Sequence, residues 1–264
     1  MSAVDTDLAR RLEQSISLAP ENTSTDVESV ICGPFRAWFT SYTDNPQLNY
    51  AMPITPTESA AFVAAIQALR VVFAERARKV RIEFVEELWP ELATELQRSG
   101  MHLQAREPLM ACAKAKFTPT AAPDVSVRAL SVDDSDVDLA TFVLIRDGRP
   151  LDGARVASDR AIASLRGVLR NRAEFCALGT VNGQPAAVGR CIPQDDGLGE
   201  ITSIVTLPQF RRRGIAGTLV SFLLQRLFES DREIGWLNAA NEQARSVYAR
   251  LGFRSIGSLL NYED

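Results

Sequence analysis

The sequence predicts an α+β protein built on a mixed sheet, and three features lead there. The first is a strand, a turn and a helix running from Ile201 to about Ser230. The second is a pair of apolar runs, Phe175 to Val181 and Ala186 to Ile192, joined through Asn182-Gly183, a strong hairpin signal. The third is the order of elements over residues 125–264, which reads β, α, α, β, β, β, α, β, α, β. Hairpins make neighbouring strands antiparallel and strand–helix–strand crossovers make them parallel, so such a chain gives a mixed sheet.

Residues 4–18 predict an amphipathic helix with Leu8, Leu12 and Ile16 on one face. Residues 19–28 read as a loop, through Pro20, Asn22, Ser24 and Thr25. Val30 to Phe39 is strand-like but interrupted by Gly33-Pro34, and a short strand is expected around Tyr50. Thr55, Pro56, Thr57 and Glu58 form a helix start, with a cap, a first-turn proline and a capping-box acid. The helix then runs to about Ala77 with Ala61, Ala65, Leu69 and Phe73 on one stripe. Val80 to Val85 alternates as a strand, Trp89 to Ser99 is helical up to Gly100, and Leu109 to Phe117 reads as a strand. Thr118 to Pro123 reads as a linker.

The second half opens with a strand at Val125 to Leu130 and a cap signal at Ser131 to Asp134, leading a helix to Arg146. Asp147 to Gly153 is a loop and Ala154 to Leu169 a helix. After the hairpin, a turn at Asp195 to Gly199 leads to Glu200, which opens the central strand. Pro208 ends that strand because it cannot donate to a ladder. Gly235 to Ala239, Glu242 to Leu251 and Phe253 to Tyr262 supply a strand, a helix and the last strands. The expected organisation is a leading helix and loop over 1–28, a domain over 29–117, a linker over 118–124 and a domain over 125–264.

Composition narrows the function. The chain has 264 residues, 46% hydrophobic residues and a net charge of −4, which argues against a nucleic-acid footprint over the whole chain. No run is long and apolar enough to span a membrane. Asp5, Asp7, Arg10 and Arg11 precede any apolar run, so no secretory signal is expected and the default location is cytoplasmic. Cys32, Cys112, Cys176 and Cys191 are widely spaced and show no metal-ligand pattern, and His102 is the one histidine, read as structural.

The turn after Leu207 carries the chemistry. Arg211, Arg212 and Arg213 lead into Gly214, Ile215, Ala216 and Gly217, whose small residues leave the first helical N–H groups uncovered. Those groups sit at the positive end of the helix dipole and suit an anion. Neither a P-loop nor a dinucleotide fingerprint fits. The run Val205, Thr206, Leu207, Pro208, then Arg211-Arg212-Arg213-Gly214-Ile215-Ala216 resembles the phosphate turn of the GNAT acetyltransferase superfamily. A second run, Asn241-x-x-Ala244-x-x-x-Tyr248-x-x-x-Gly252-Phe253, is similar to the motif after that family's fifth strand. The resemblance covers residues 125–264 and implies the GNAT acyl-CoA N-acyltransferase fold.

A weak repeat extends it. Helix 56–77, strand 80–85 and helix 89–99 parallel helix 215–230, strand 235–239 and helix 242–251, with Leu96, Gly100 and Met101 aligning in sequence with Tyr248, Gly252 and Phe253. The first half thus looks like a truncated, degenerate copy. Glu58 at its helix entry would repel phosphate, so no acetyl-CoA is expected there.

The resemblance implies transfer of an acetyl group from acetyl-CoA, a co-substrate, to a primary amine on a small molecule or peptide, directly and in a ternary complex, with no metal. The N–H groups of Arg212 to Gly217 would hold the pyrophosphate, with Arg211 and Arg213 adding side-chain contacts. Ile204, Val205 and Thr206 would pair with the pantetheine arm where the fourth and fifth strands splay, and Asn241 would contact the arm from the other side as well as capping its helix. A backbone N–H near Val205 would serve the oxyanion. Glu200 would be the base and Tyr248 the acid for the thiolate. Asp147 and Asp152 stand in the loop that would shape the acceptor site. Other readings stay open: a non-catalytic acyl-CoA-binding or regulatory module, and an acyltransferase with a longer acyl-CoA or a mycothiol-synthase-like acceptor. A homodimer also stays open, with neither nucleic acid nor membrane as partner.

Overall fold

The computed structural model describes residues 3–23, 27–41, 44–56, 59–149, 151, 157–171, 174–194 and 196–264. The chain forms two compact units, one of Met1–Leu109 with Ser255–Asp264 and one of Met110–Arg254. That division differs from the expected boundaries. The segment 110–124 goes with the second unit, and the last strand goes with the first.

In the first unit, helix α1 (Ala3–Thr23) precedes strands β1 (Val27–Cys32), β2 (Phe35–Thr40) and β3 (Tyr50–Pro53). Then come α2 (Ser59–Ala74), β4 (Arg81–Val85), α3 (Leu92–Arg98) and β5 (His102–Ala113). Gly33 and Pro34 do not interrupt one strand; they turn the chain between two, with Gly33 at φ +58°. Strands β1, β2 and β3 pair antiparallel, and β3 meets β4 in parallel at Ala51 and Ile82. The final strand β11 (Arg254–Glu263) lies antiparallel beside β4, from Leu259 opposite Val85 to Glu263 opposite Arg81. Phe35, Phe62, Ile66, Leu69, Phe73, Phe84, Leu260 and Tyr262 build its core. The capping box expected at Thr55 to Glu58 falls partly on residues 57 and 58, outside the described residues.

The second unit contains β6 (Val125–Ala129), α4 (Asp136–Arg146), α5 (Asp159–Arg170), β7 (Phe175–Val181) and β8 (Gln184–Pro193). These are followed by β9 (Leu198–Thr206), α6 (Ile215–Glu229), β10 (Ile234–Asn238) and α7 (Glu242–Arg250). Its strands run in the order β10, β9, β8, β7, β6. All neighbours from β6 to β9 are antiparallel and β9 with β10 is parallel, so the sheet is mixed as its crossovers require. The Asn182-Gly183 turn has φ +50° and +76°, the pattern of the hairpin turn it was read as. The helix expected from Ser131 begins later: Ser135 is the N-cap of α4, accepting the Asp138 N–H at 3.2 Å. The presumed linker is docked on α6. Thr120 N–H donates to Ser221 Oγ at 3.0 Å and Ala122 N–H to Thr218 Oγ1 at 2.9 Å.

Two apolar clusters flank this sheet. One joins Cys191, Ile201, Leu237 and Ala239 to Leu219, Leu223 and Leu227 of α6 and to Tyr248. The other joins Cys176, Leu178, Val188 and Leu207 to Leu139, Phe142 and Leu165 of α4 and α5. The sheet thus has an α6 face and an α4/α5 face.

The two units repeat one pattern, strand–strand–strand–helix–strand–helix with a parallel third and fourth strand. The repeat reaches single residues. Met101 N–H donates to Leu96 O at 3.0 Å and Phe253 N–H to Tyr248 O at 3.2 Å. Gly100 and Gly252 stand before them at φ +84° and +97°, where only glycine is unstrained.

Candidate active site

Strand β9 begins at Leu198, so Glu200 is its third residue and not its first. It pairs with β10 over three residues only, Leu198 with Ile234, Gly199 with Gly235 and Glu200 with Trp236. Beyond Glu200 the two strands have no register pairs, although both continue, which is the splay that the motif implied.

On its other edge β9 carries a bulge. Arg190 faces Thr202 and Val188 faces Val205, so Gly189 opposes both Ser203 and Ile204. Ser203 takes φ +54°, a left-handed conformation that costs a serine about a kcal/mol or more. The extra residue resets the alternation. Glu200 and Thr202 face α4/α5, Ile204 faces α6, and Val205 faces α4/α5 again.

The open edge of β9 can be assigned from its hydrogen bonds. Leu207 N–H donates to Ala186 O at 2.9 Å, on the β8 side. Alternation then directs the Val205 N–H to β8 also, and those of Ile204 and Thr206 to the splay. Near Val205, the backbone N–H on the open edge is thus that of Ile204, a phase set by the bulge. Arg211 Nε donates to Thr206 O at 3.2 Å, which brings its guanidinium to the same open edge.

The turn behaves as its composition demands. Arg211, Arg212 and Arg213 are exposed, and Arg212 has φ +62°. Gly214 caps α6 at φ +76° with no side-chain hydrogen bond to the helix start. The N–H groups of Ile215, Ala216 and Gly217 therefore begin a helix that no side chain caps. A Cβ on Gly217 would stand 3.1 Å from Thr120 Cγ2, a tight contact that the docked segment would have to shift to relieve.

Asn241 is the N-cap of α7, its Oδ1 accepting the Ala244 N–H at 2.9 Å. Tyr248, one of the residues buried in the α6-face cluster, stacks tilted against Phe253 at 5.9 Å between ring centres. Burial pushes its phenol up to about 12. Its hydroxyl has no hydrogen bond among the described residues. Glu200 lies on the opposite face. Burial raises its carboxyl to about 7, with Arg190 opposing and Glu174 adding to the rise.

The ion pair behind Glu200 was not read from the sequence. Glu174 precedes β7 and grips Arg190 of β8 with both oxygens, Nε to Oε2 at 2.5 Å and Nη2 to Oε1. The Glu174 side chain is 4% exposed. Trp236 Nε1 donates to Gln194 Oε1 at 2.9 Å. Asp147 of the expected acceptor loop follows α4 and pairs with Arg146 at 2.9 Å; Asp152 lies outside the described residues. His102 is exposed on β5. The four cysteines are unpaired, three of them buried, and burial raises each thiol, Cys176 to about 12. Among the described residues no group of acids, histidines and cysteines could hold a metal, and no helix is long and apolar enough to cross a membrane.

The equivalent place in the first unit is filled. Glu13 of α1 accepts the Val85 N–H at 3.0 Å and the Trp89 indole N–H at 2.9 Å. Val85 ends β4, past the single β3–β4 pair, so a carboxylate from α1 caps the end of the strand that corresponds to β10.

The acetyltransferase (GNAT) family model matches residues 140–253. No curated protein matches the sequence. Among solved structures, a GCN5-related N-acetyltransferase from Kribbella flavida superposes with a TM-score of 0.77 at 22% identity, covering 97% of this chain and 95% of that one. One from Sphaerobacter thermophilus gives 0.65 at 14% identity over 88% and 80%. A tandem GNAT protein from the clavulanic acid biosynthesis pathway gives 0.63 at 12% identity over 87% and 78%. These likenesses establish the fold.

Proposed function

We propose that this chain, whose residues 140–253 match the acetyltransferase (GNAT) family model, moves an acetyl group from acetyl-CoA to a primary amine. The observation that carries the reading is the opening of β9 from β10 beside an uncapped helix start. The thioester supplies an activated acyl carbon; the chain binds, orients and moves protons.

The N–H groups of Ile215 to Gly217 and the guanidinium groups of Arg211 to Arg213 hold the phosphates, by charge and by unfilled donors. The edge of β9 at Ile204 and Thr206 offers the pantetheine arm a strand to pair with, and the Ile204 N–H points where negative charge develops on the acyl oxygen. Asn241 is committed to its cap through Oδ1, so any contact it makes with the arm uses its NH2.

Glu200 and Tyr248 approach from opposite faces of the sheet. An alkylamine is protonated at neutral pH, and Glu200, half ionised near pH 7, takes its proton. Glu200 passes that first proton to solvent; the nitrogen–carbon bond then forms as the carbon–sulfur bond breaks, and the nitrogen's second proton goes to Glu200, offsetting the one given to sulfur. Tyr248, neutral because burial holds its proton, returns one to the departing thiolate. The first unit, with Glu13 capping the end of β4, takes no acyl-CoA.

Calorimetric titration with acetyl-CoA tests this directly. One site per chain is the expected result. Two sites would overturn the assignment of the first unit, and none, with the protein folded, would overturn the acetyl-CoA reading.

A further inference from the structure

One polar atom at the splay is left over. Asn238 ends β10, two residues past Trp236, the last residue that pairs with β9. Its Oδ1 is shielded from solvent and accepts no hydrogen bond among the described residues. A buried carbonyl oxygen without a donor costs about 1–3 kcal/mol, a cost that a ligand N–H reaching this place removes.

The face that Asn238 occupies identifies that ligand. Leu237 and Ala239 lie in the α6 cluster. Trp236 and Asn238 therefore point the other way. Glu200 is the register partner of Trp236 and shares its face, since parallel partners do. The phosphate-holding turn begins α6, on the opposite side of the sheet. A polar group beside Glu200 and away from the phosphates meets the acceptor, not the phosphate end of the donor.

We propose that the Asn238 carboxamide oxygen accepts one N–H of the acceptor amine while Glu200 takes another, so that the nitrogen lone pair is aimed through the splay. The proposal rests on the acetyltransferase reading. Asn238 is a positioning residue that also sets specificity. A neutral primary amine has two N–H groups, one for each partner, and the one on Asn238 stays with the product amide. A secondary amine has one and must leave a partner unsatisfied. Primary amines are thereby preferred over their N-methyl derivatives.

The test uses the full chain with acetyl-CoA and n-butylamine, spermidine, lysine ethyl ester and N-methylbutylamine as probes. N238L removes the oxygen at similar volume, and N238D keeps an acceptor oxygen should the apolar variant fold poorly. Expected for N238L are an amine KM raised about tenfold, the worth of one hydrogen bond, an acetyl-CoA Kd within twofold of wild type, and loss of the primary-over-secondary preference. Expected for N238D are a KM within threefold and an acidic pH limb displaced upward by the new charge beside Glu200. An unchanged amine KM in folded N238L overturns the proposal, as does a parallel weakening of acetyl-CoA. Wild type that binds acetyl-CoA but acetylates none of the amines overturns it too, while wild type that binds no acetyl-CoA overturns the functional reading beneath it.

Discussion

Glu174 grips Arg190 with both carboxylate oxygens, and the pair faces the carboxyl of Glu200 from the same side of the sheet. The Arg190 side chain is 21% exposed against 4% for its partner, so removing the arginine strands a buried carboxylate. R190M should cost about 3–5 kcal/mol, the range for a broken buried pair. Replacing both partners by apolar residues should recover most of it. Urea melts of R190M and of E174L/R190M check this; equal stability of the two variants would show that the pair does not act as a unit.

Arg190 lowers the affinity of Glu200 for its proton and burial raises it, with burial ahead. kcat/KM should therefore climb with pH to a plateau above about 7. E200Q should remove that limb and lower the plateau by roughly a hundredfold or more. The sign for stability is opposite. The folded state holds a proton that the unfolded state has released, from the ordinary carboxylate range up to about pH 7. This group's contribution thus falls as pH rises through that window. E200Q should raise Tm at pH 8 and change it little at pH 5, a comparison two thermal scans supply.

The phosphate turn can be broken without breaking the helix, provided the position is chosen by backbone angle. Gly214 is unsuitable, since at φ +76° a side chain is strained. Ala216 has ordinary helical geometry in the first turn of α6. A216E places a carboxylate where the helix dipole favours it and phosphates do not. Acetyl-CoA affinity should drop by about a hundredfold, a few kcal/mol of charge repulsion in place of attraction, with Tm unchanged or higher. Calorimetry showing undiminished binding would remove the turn from the site.

Tyr248 separates chemistry from packing because its hydroxyl has no partner among the described residues. Y248F keeps the ring against Phe253. Its Tm and acetyl-CoA Kd should match wild type while kcat falls about 10–100-fold, as for a lost proton donor. If kcat holds, the tyrosine belongs to the core alone.

The sequence exposed the parts of this site that depend on local chain chemistry. Asn182-Gly183, Pro208, Gly214 and the cap at Asn241 each act through their own backbone, and each stands where its composition placed it. What stayed hidden depends on partners far along the chain. Nothing in Ile201-Thr202-Ser203-Ile204 marks a bulge, because serine was forced left-handed by pairing with β8. The Glu174–Arg190 pair joins residues far apart in the chain, and the unpartnered side-chain oxygen of Asn238 shows only once the packing around β10 is known. The linker reading failed for the same reason: Thr120 and Ala122 look free until Thr218 and Ser221 of α6 supply their acceptors.

The placement of β11 has a consequence for synthesis. The first unit takes its strand beside β4 from residues 255–264. A ribosome making this chain delivers residues 1–109 first, yet those residues wait with an open sheet edge at β4 until the whole second unit has emerged. The half that is begun first is thus finished last, and a stalled or truncated chain exposes an adhesive strand edge at β4.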